Sequence, residues 1–595
     1  MPSALAFARR LAASLLIVLL FSSIASSATA EEVPPTTPEE VWAGFDPRAE
    51  PLEIEVISRE KKHGSIVTEF RFTGMTHEGS RVRVYAISGV PEGKSKLPGV
   101  LHIHGGGQTA DANWIRFWNE RGYAALTFNW GGVWPGREKY TDWGKLTQGN
   151  HQKVGALLMA TEPSVRASSW YLWTRVSRRA LTCLERLPEV DPDRLGIFGV
   201  SMGGTITWPV AATDRRVKAA CAIYGVGWNT YPDEIGDPDP KADDPKTRRW
   251  RETMESEAYA RLVSCPILFL NATNDQHGNM DRSFLTLNRV PTEVRWAYTP
   301  QYRHHIAAEP GADLPLWMDA YLKGGAKFPK TPAAAISLGS DGVPRLAVAP
   351  DPSHKIRRMD LFYAVENRNP KNRFWRTAAG TQDGPSWTAE LPVLDPKQPL
   401  FAFANVLHES GELLSSNLAT AIPAELGPAK ATDRPSLVID DFADGTNGGW
   451  VTSSPGTDPV PPIRNLLTRL EGPEGKPGIS VTLPIPLYCY KVGDPKWRGP
   501  EGAKLQFQVH ARSPKRLRIV MHEKEFAPGW TQYAAEIPLE PGEGWKTITL
   551  PADAFATEKG ETLKTWSDVR LLELKTNGGK GEEPIYREFR WMPGE

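Results

Sequence analysis

One serine in this chain has neighbours that suit a nucleophile. Ser201 is the centre of a G-x-S-x-G motif, between Gly199 and Gly203, and the motif follows the apolar run 195–200 and precedes residues 204–208 of helical character. A strand that turns so sharply into a helix needs glycines at both positions, because the neighbouring backbones approach closely there. The turn holds the serine in a strained conformation with its Oγ exposed. The alternative is a chance match in a glycine-rich turn.

A serine that attacks an acyl group needs hydrogen-bond donors for the oxyanion that develops. The backbone N–H of Met202 lies at the start of the predicted helix and points to that position. A glycine-rich loop, residues 104–108, ends the predicted strand 98–104, and we assign the second donor to Gly106 in this loop. The loop is not a phosphate cradle, because the G-x-G-x-x-G spacing and a Gly-Lys-Ser/Thr sequence are both absent.

A serine in such a turn between strand and helix, called a nucleophile elbow, is followed along the chain by an acid and then by a histidine. Asp275 lies in the loop after a predicted strand and is favoured over Asp281, which we expect further on, on a helix. His304 and His305 follow the next predicted strand, and one of them takes the proton of Ser201. The acid fixes the tautomer of that histidine and stabilises its protonated form.

Composition gives no indication of a nucleic-acid partner, a metal or a cofactor. The 595 residues include 70 Lys+Arg and 70 Asp+Glu, so there is no bulk charge to attract a polyanion. His277 stands near Asp275, but no second cluster of metal-ligating residues accompanies this pair. The four cysteines form no C-x-x-C motif and are typical of buried small hydrophobes, although one disulfide is open to them: Cys183, Cys221, Cys265 and Cys489.

Strand and helix patterns alternate over residues 31–328, which we assign to one α/β domain. Its first twenty residues predict an extended segment, and the alternating runs 67–72 and 82–87 predict a hairpin. Further runs predict strands over 98–104, 123–130, 195–200, 217–224, 266–270 and 294–298, and helices over 170–186 and 314–322. Strands that alternate with helices form a mostly parallel, doubly wound sheet with helices on both faces.

A long insert, residues 131–169, interrupts this alternation and is rich in aromatic and polar side chains. Long loops over the carboxyl edge of a sheet are usually lids or walls of a site, and the alternative is a surface excursion packed by its own tryptophans. Trp130, Trp134 and Trp143 are predicted to bind substrate, because flat indole faces suit the apolar faces of sugar rings. The competing interpretation places these tryptophans in the core.

From residue 329 onwards the pattern is that of β-structure. Alternating runs at 360–365, 373–376 and 400–406 predict a small immunoglobulin-like sandwich over residues 329–430. Further runs over residues 436–595 predict a jelly-roll-like β-sandwich of the size of a carbohydrate-binding module.

The first thirty residues have the organisation of a secretory signal peptide. Arg9 and Arg10 precede the apolar run 11–24, and residues 28–30 form an A-x-A cleavage signal. The alternative is a membrane anchor, but a span needs about 20 apolar residues, more than the core of this run provides. We therefore expect a secreted or periplasmic protein without a membrane span in its mature form.

Together, the elbow, the glycine-rich loop, the late Asp and the late His resemble the α/β-hydrolase superfamily. Residues 40–325 resemble, more narrowly, secreted bacterial proteins of the dienelactone hydrolase and acetyl xylan esterase-like group, on the segments 141–144, 188–196 and 316–324. In such relatives an Asn often precedes the catalytic His; Arg303 takes that place here, which aligns His304 with the catalytic position. The tail from Leu437 resembles the non-catalytic sandwiches appended to carbohydrate-active enzymes.

The leading functional hypothesis is a secreted serine esterase that uses Ser201, His304 and Asp275 on a small-molecule or polysaccharide ester, most readily one on a carbohydrate. A second hypothesis is a peptidase similar to prolyl oligopeptidases, whose large propeller has no counterpart before the first strands here. A third is a non-catalytic surface binding protein on a hydrolase scaffold. The acyl group, the alcohol and the oligomeric state do not follow from the sequence.

Overall fold

The computed structural model describes residues 33–77, 79–226, 244–452, 466–577 and 581–594, and within them the strands form five sheets. The largest sheet belongs to the α/β region, and two pairs of antiparallel sheets follow it along the chain. The predicted signal peptide, residues 1–30, lies outside the described residues and stays a prediction. Among the described residues, no helix is long and apolar enough to cross a membrane.

The large sheet consists of nine described strands. They are β1 (Glu55–Lys62), β2 (Ser65–His77), β3 (Ser80–Pro91), β4 (Leu97–Ile103), β5 (Ala124–Phe128), β6 (Val190–Val200), β7 (Val217–Ile223), β8 (Ile267–Ala272) and β9 (Val294–Thr299). The strand order is β1-β2-β3-β5-β4-β6-β7-β8-β9. Strand β2 pairs antiparallel with β1 and β3, and β3 pairs antiparallel with β5. The six strands from β5 to β9 in that order pair in parallel. The predicted mostly parallel sheet is confirmed.

Helices cover both faces of this sheet. The helices of this region are α1 (Pro38–Trp42), α2 (Ala112–Asn119), α3 (Ser169–Glu185), α4 (Met202–Thr213), α5 (Pro245–Thr253), α6 (Ser256–Ala260), α7 (Met280–Leu287) and α8 (Ala308–Leu322). Neighbouring residues of β6 face different cores: Ile197 packs with α3 and α4, and Phe198 packs with α2 and α8. A strand buried on both faces reads as a continuous apolar run, which is the pattern that residues 195–200 show.

Two local features differ from the predicted elements. The segment predicted as extended contains α1, which begins after Thr37: its side chain accepts a hydrogen bond from the N–H of Glu40 (3.2 Å), and Pro38 takes the first helical position. Helix α8 begins at Ala308, before the predicted start, and continues through Pro315. All four cysteines are buried free thiols, so the open disulfide does not form.

The rest of the chain is built from short antiparallel strands. The strands of the first pair of sheets are β10 (Ala333–Leu338), β11 (Pro344–Ala349), β12 (Ile356–Val365), β13 (Arg376–Ala378), β14 (Gly380–Asp383), β15 (Ser386–Glu390), β16 (Leu400–His408), β17 (Leu413–Ser415) and β18 (Ala419–Ala421), followed by a short helix, α9 (Pro423–Leu426). We call residues 333–421 the middle β-region. Of the run 373–376, which we predicted as a strand, just Arg376 lies in one.

The last pair of sheets occupies residues 438–592, which we call the last β-region. Its strands are β19 (Val438–Asp440), β20 (Val451–Thr452), β21 (Leu467–Glu471), β22 (Pro477–Val481), β23 (Leu487–Cys489), β24 (Lys504–His510), β25 (Lys515–Glu523), β26 (Thr531–Leu539), β27 (Lys546–Leu550), β28 (Val569–Asn577) and β29 (Ile585–Met592). The fold class, an α/β-hydrolase-type sheet followed by antiparallel β-structure, is confirmed, and the domain limits stay predictions.

The middle β-region completes the core of the α/β region. Strand β17 lies along the outer strand β9, where the Ser415 Oγ accepts a hydrogen bond from the N–H of Tyr298 (2.8 Å). Phe403 is fully buried in the same cluster as the helices α3 and α4, and Leu414 is buried with α8. The two regions therefore share apolar cores and are not independent domains joined by a linker.

Candidate active site

Ser201 stands alone in the tight turn between β6 and α4. Its backbone angles, φ 57° and ψ −118°, are strained for a residue with a side chain, and its N–H donates to the carbonyl O of Ile223 (2.8 Å). A Cβ on Gly203 would lie 2.6 Å from the carbonyl O of His104, and one on Gly199 would lie 2.5 Å from the Thr207 Oγ1. Both glycines are needed, as the sequence predicted, because a side chain at either position would collide with its neighbours.

Three predicted residues meet in one hydrogen-bonded chain. The Ser201 Oγ lies 2.8 Å from the Nε2 of His304, and the Nδ1 of His304 lies 2.9 Å from the Oδ1 of Asp275. The side chain of Asp275 is fully buried, and that of His304 is 14% exposed. With the His304 Nδ1–H donating to the carboxylate, the Nε2 is left to accept the serine proton. The arrangement is that of an activated serine.

The alternative acid and the alternative base lie elsewhere. Asp281 is on α7, as expected, and forms a two-point ion pair with Arg373 (2.9 and 3.0 Å). The N–H of His305 donates to the carbonyl O of Arg303 (2.7 Å), and burial, with a smaller contribution from His304, lowers the pKa of His305 to about 4. Of the two histidines that the sequence left open, the structure brings His304 to Ser201.

The loops that carry the acid and the base are tied to each other. The Thr273 Oγ1 accepts a hydrogen bond from the N–H of Gln301 (2.9 Å), and the N–H of Asn274 donates to the carbonyl O of Tyr302 (3.1 Å). Both loops are also held from the middle β-region, because the Asn274 Nδ2 donates to the carbonyl O of Arg373 (2.8 Å). Neither loop has regular secondary structure, so these bonds set where the acid and the base stand.

The loop that carries Gly106 lies against the side chain of Met202, the other predicted oxyanion donor. A Cβ on Gly106 would lie 2.5 Å from the Sδ of Met202, which places the loop after β4 against the start of α4. Within the described part of the chain, the N–H groups of Gly106 and Met202 have no acceptor, whereas the N–H of Gly105 donates to the Gln108 side chain (2.7 Å). Two unoccupied N–H groups beside the serine are what an oxyanion requires.

His104 builds the floor of this loop. Its Nδ1 donates to the carbonyl O of Gly105 (2.7 Å), and its Nε2 accepts from the N–H of Trp130 (3.2 Å). The rings of His104 and Trp130 stack with their centroids 4.8 Å apart. Burial lowers the pKa of His104 to about 3, so this side chain stays neutral and acts as a rigid support for the glycine-rich loop.

The prediction that three tryptophans contact substrate is wrong for two of them. Trp130 is fully buried, and Trp143 is 3% exposed and donates its indole N–H to the carbonyl O of Trp130 (3.1 Å). Trp134 is half-buried and lies against Gly107 of the oxyanion loop. The competing core interpretation holds for the first two, because a sequence shows aromatic content and not the direction of each side chain.

The insert 131–169 is packed on the sheet and also reaches the site. It contains four short 3-10 turns, and its residue Gly149 accepts a hydrogen bond from the indole N–H of Trp173 on α3 (2.6 Å). His151 comes from this insert, with its ring 5.4 Å from that of Trp134 and beside Gly106. The insert therefore forms a wall next to the oxyanion loop.

One neighbour of the histidine was missed at the sequence level. Tyr224, directly after β7, has a positive φ of 64°, and its ring centroid lies 4.2 Å from that of His304. The signal available was its position at the carboxyl end of a central parallel strand, where site residues of such sheets gather.

The backbone N–H of His277 donates to the Asp275 Oδ1 (2.8 Å), so His277 orients the acid. Among the described residues, no group of three or more His, Cys, Asp or Glu could hold a metal ion.

Two protein families match the α/β region. A model of the acetyl xylan esterase family matches residues 45–226, and a model of the dienelactone hydrolase family matches residues 158–298. Both are families of serine carboxylic ester hydrolases of the α/β-hydrolase superfamily. Residues 45–298 thus form an α/β-hydrolase domain similar to those of two families of serine ester hydrolases. Within that class, the chain is acetyl xylan esterase-like and dienelactone hydrolase-like.

Individual relatives are similar over parts of the chain. The acetyl xylan esterase from Paenibacillus sp. R4 has 17% identity, covers 50% of this chain and 100% of its own, and has a TM-score of 0.38. Acetyl xylan esterase 1 from Thermoanaerobacterium sp. JW/SL YS485 has 17% identity, covers 49% and 98%, and has a TM-score of 0.37. The Bacillus subtilis (strain 168) protein YtaP, named as a hydrolase, is 41% identical over 49 residues, which are 8% of this chain and 16% of that protein.

Proposed function

We propose that this protein hydrolyses carboxylic esters through a catalytic triad of Ser201, His304 and Asp275. The observation that carries the proposal is the continuous hydrogen-bonded chain from the serine Oγ through both ring nitrogens to a buried carboxylate, with distances of 2.8 and 2.9 Å. The strained elbow and the two N–H groups beside it support the same function.

The reaction follows from this geometry in two halves. The Ser201 Oγ attacks the acyl carbon while its proton passes to the His304 Nε2, and the Asp275 carboxylate stabilises the imidazolium. The N–H groups of Met202 and Gly106 hold the oxyanion. His304 then donates the proton to the leaving alcohol, which departs and leaves an acyl-enzyme. A water molecule then gives a proton to the His304 Nε2 and attacks the acyl carbon. The bond between this carbon and the Ser201 Oγ breaks, the carboxylic acid leaves, and His304 returns the proton to the serine.

The decisive test is replacement of the serine in the full-length chain. Ser201→Ala should lower kcat on an aryl acetate by about 10³-fold or more, and the remaining oxyanion donors should give a residual rate. The melting temperature should be unchanged. Wild type, but not the variant, should be labelled by a fluorophosphonate. Ser513→Ala, a change outside the site, should behave as wild type. A Ser201→Ala variant that keeps more than a tenth of the wild-type kcat would remove the assignment.

The same assays separate the other two hypotheses. Absence of fluorophosphonate labelling in folded wild type would favour a non-catalytic binding protein. Labelling together with cleavage of prolyl peptides and not of aryl esters would favour the peptidase.

For the substrate, we propose an ester on a carbohydrate, with the sugar ring on the indole of Trp134. This side chain lies at the oxyanion loop and is partly exposed, and an indole suits the apolar face of a sugar ring. Trp134→Ala should raise KM for an acetylated xylo-oligosaccharide about tenfold and leave KM for a small aryl acetate within about twofold. If wild type cleaves aryl acetates but no acetylated sugar, the carbohydrate substrate is wrong and the esterase remains.

We also propose that the protein is exported, to the periplasm or the medium, with residues 1–30 removed. The support is the basic, apolar and A-x-A order of these residues. Sequencing of the protein recovered from each cell fraction of a bacterial host tests this: an exported chain should begin at Glu31. Recovery of the chain in the cytoplasm with residues 1–30 intact would contradict it.

A further inference from the structure

A turn of the last β-region reaches the loop that carries His304. The turn 524–530 joins β25 to β26 and lies against Arg303, the residue before the histidine. A guanidinium nitrogen of Arg303 is 3.2 Å from the Oε1 of Glu525, and its carbon stands over the ring of Phe526, 5.3 Å from the centroid. The ring of Tyr488, also from the last β-region, lies 4.9 Å from the same carbon. Arg303 is thus enclosed by this region on several sides.

The charge relations make this contact specific. The side chain of Glu525 is fully buried, and that of Arg303 is 22% exposed. Burial raises the pKa of Glu525, and the Arg303 guanidinium opposes that rise. The ring of His522 is further away, with its Nδ1 3.9 Å from the same carboxylate oxygen. A buried carboxylate needs a cation close by, so Glu525 and Arg303 hold each other in place.

The turn is itself anchored to the element that supports the acid. The Asn372 side chain donates to the carbonyl O of Glu525, and the Asn369 Nδ2 donates to the carbonyl O of Phe526 (3.1 Å). The next residue along, Arg373, supplies the carbonyl that Asn274 binds beside the acid. One segment of the middle β-region therefore links the turn to the loop of Asp275.

We infer that Glu525 is a positioning residue for the hydrolytic reaction: through Arg303 it fixes the loop from which His304 reaches both Ser201 and Asp275. The inference rests on the proposed triad. The loop around His304 has no regular secondary structure, so its backbone position depends on such side-chain anchors. A displacement of a catalytic group by about 1 Å can cost about 10²-fold in rate.

The test is Glu525→Gln in the full-length protein, because glutamine keeps the size and loses the charge. We expect kcat on an aryl acetate to fall about tenfold or more, with KM within about twofold, and fluorophosphonate labelling of Ser201 to slow by the same factor. Glu536→Gln is the matched control: this exposed carboxylate of β26 pairs with Arg516 and Arg518, and its loss should leave kcat at the wild-type value.

Rescue separates positioning from general stability. Arg303→Lys keeps the cation and should retain more activity than Arg303→Gln, with all rates expressed per site that fluorophosphonate titrates. If Glu525→Gln, or Arg303→Gln where the former does not fold, keeps wild-type kcat per titrated site, the inference is overturned. If wild type neither hydrolyses the ester nor is labelled at Ser201, the proposed function fails and the inference with it.

Discussion

Gly203→Ala, a gain of one methyl group, should strongly damage the enzyme. The added Cβ would lie 2.6 Å from the carbonyl O of His104 and closer still to that of Ile103, whereas Cβ atoms keep at least 3.0 Å from such neighbours. Both neighbours are backbone atoms, so the start of α4 must move by about 1 Å. That helix start carries the N–H of Met202 and follows Ser201. A shift of this size predicts a fall in kcat of about 10²-fold.

The measurement is kcat on an aryl acetate together with the melting temperature. Overpacking of this kind costs about 1–3 kcal/mol of stability, so the variant should melt several degrees lower but still be folded at 25 °C. Gly544→Ala is the control, because a Cβ there meets open space and both quantities should stay at wild type. A Gly203→Ala variant with more than half the wild-type kcat and an unchanged melting temperature would refute the reasoning about the tight turn.

Three further changes test the base, a buried carboxyl and the shared core. His304→Ala should lower kcat by about 10³-fold or more and His305→Ala far less; equal losses would contradict the base assignment. Burial raises the pKa of Asp313 well above its usual range, so the folded chain holds a proton that the unfolded chain releases. The contribution of this group to the free energy of unfolding is fully present below about pH 4 and falls as the pH rises. Asp313→Asn should therefore flatten the dependence of the melting temperature on pH between 4 and 8; an unchanged slope would argue against a protonated Asp313. A chain ending at Gly325 should be insoluble or melt far below wild type, since the partners of Tyr298 and α8 are removed; a soluble fragment with the wild-type melting temperature would contradict the shared core.

The parts of the site that the sequence could predict are those set by local order along the chain. Ser201 stands in a turn whose glycines are required within two residues, and the later Asp and His follow strands whose apolar runs are visible. The choice between His304 and His305 was different, because both follow the same strand and side-chain direction in an irregular loop is set by tertiary contacts.

The rest depends on contacts between distant parts of the chain. Trp130 and Trp143 were assigned to substrate because aromatic residues suit sugars and core packing equally well. Nothing in the local pattern around Glu525 indicates that it contacts Arg303. In the same way, the runs of the middle β-region predict strands but not that Phe403 fills a gap in the hydrolase core.

The shared core determines when the α/β region can complete its folding during synthesis. On the ribosome the α/β region is complete in sequence long before Phe403 and Leu414 are synthesised, yet its cores stay open until those side chains arrive. Until then, the apolar surfaces that Phe403 and Leu414 cover are exposed in the nascent chain. A chain cut short by premature termination or proteolysis would contain Ser201 but lack the middle β-region that holds the loops of Asp275 and His304. We expect such a chain to have no ester hydrolase activity.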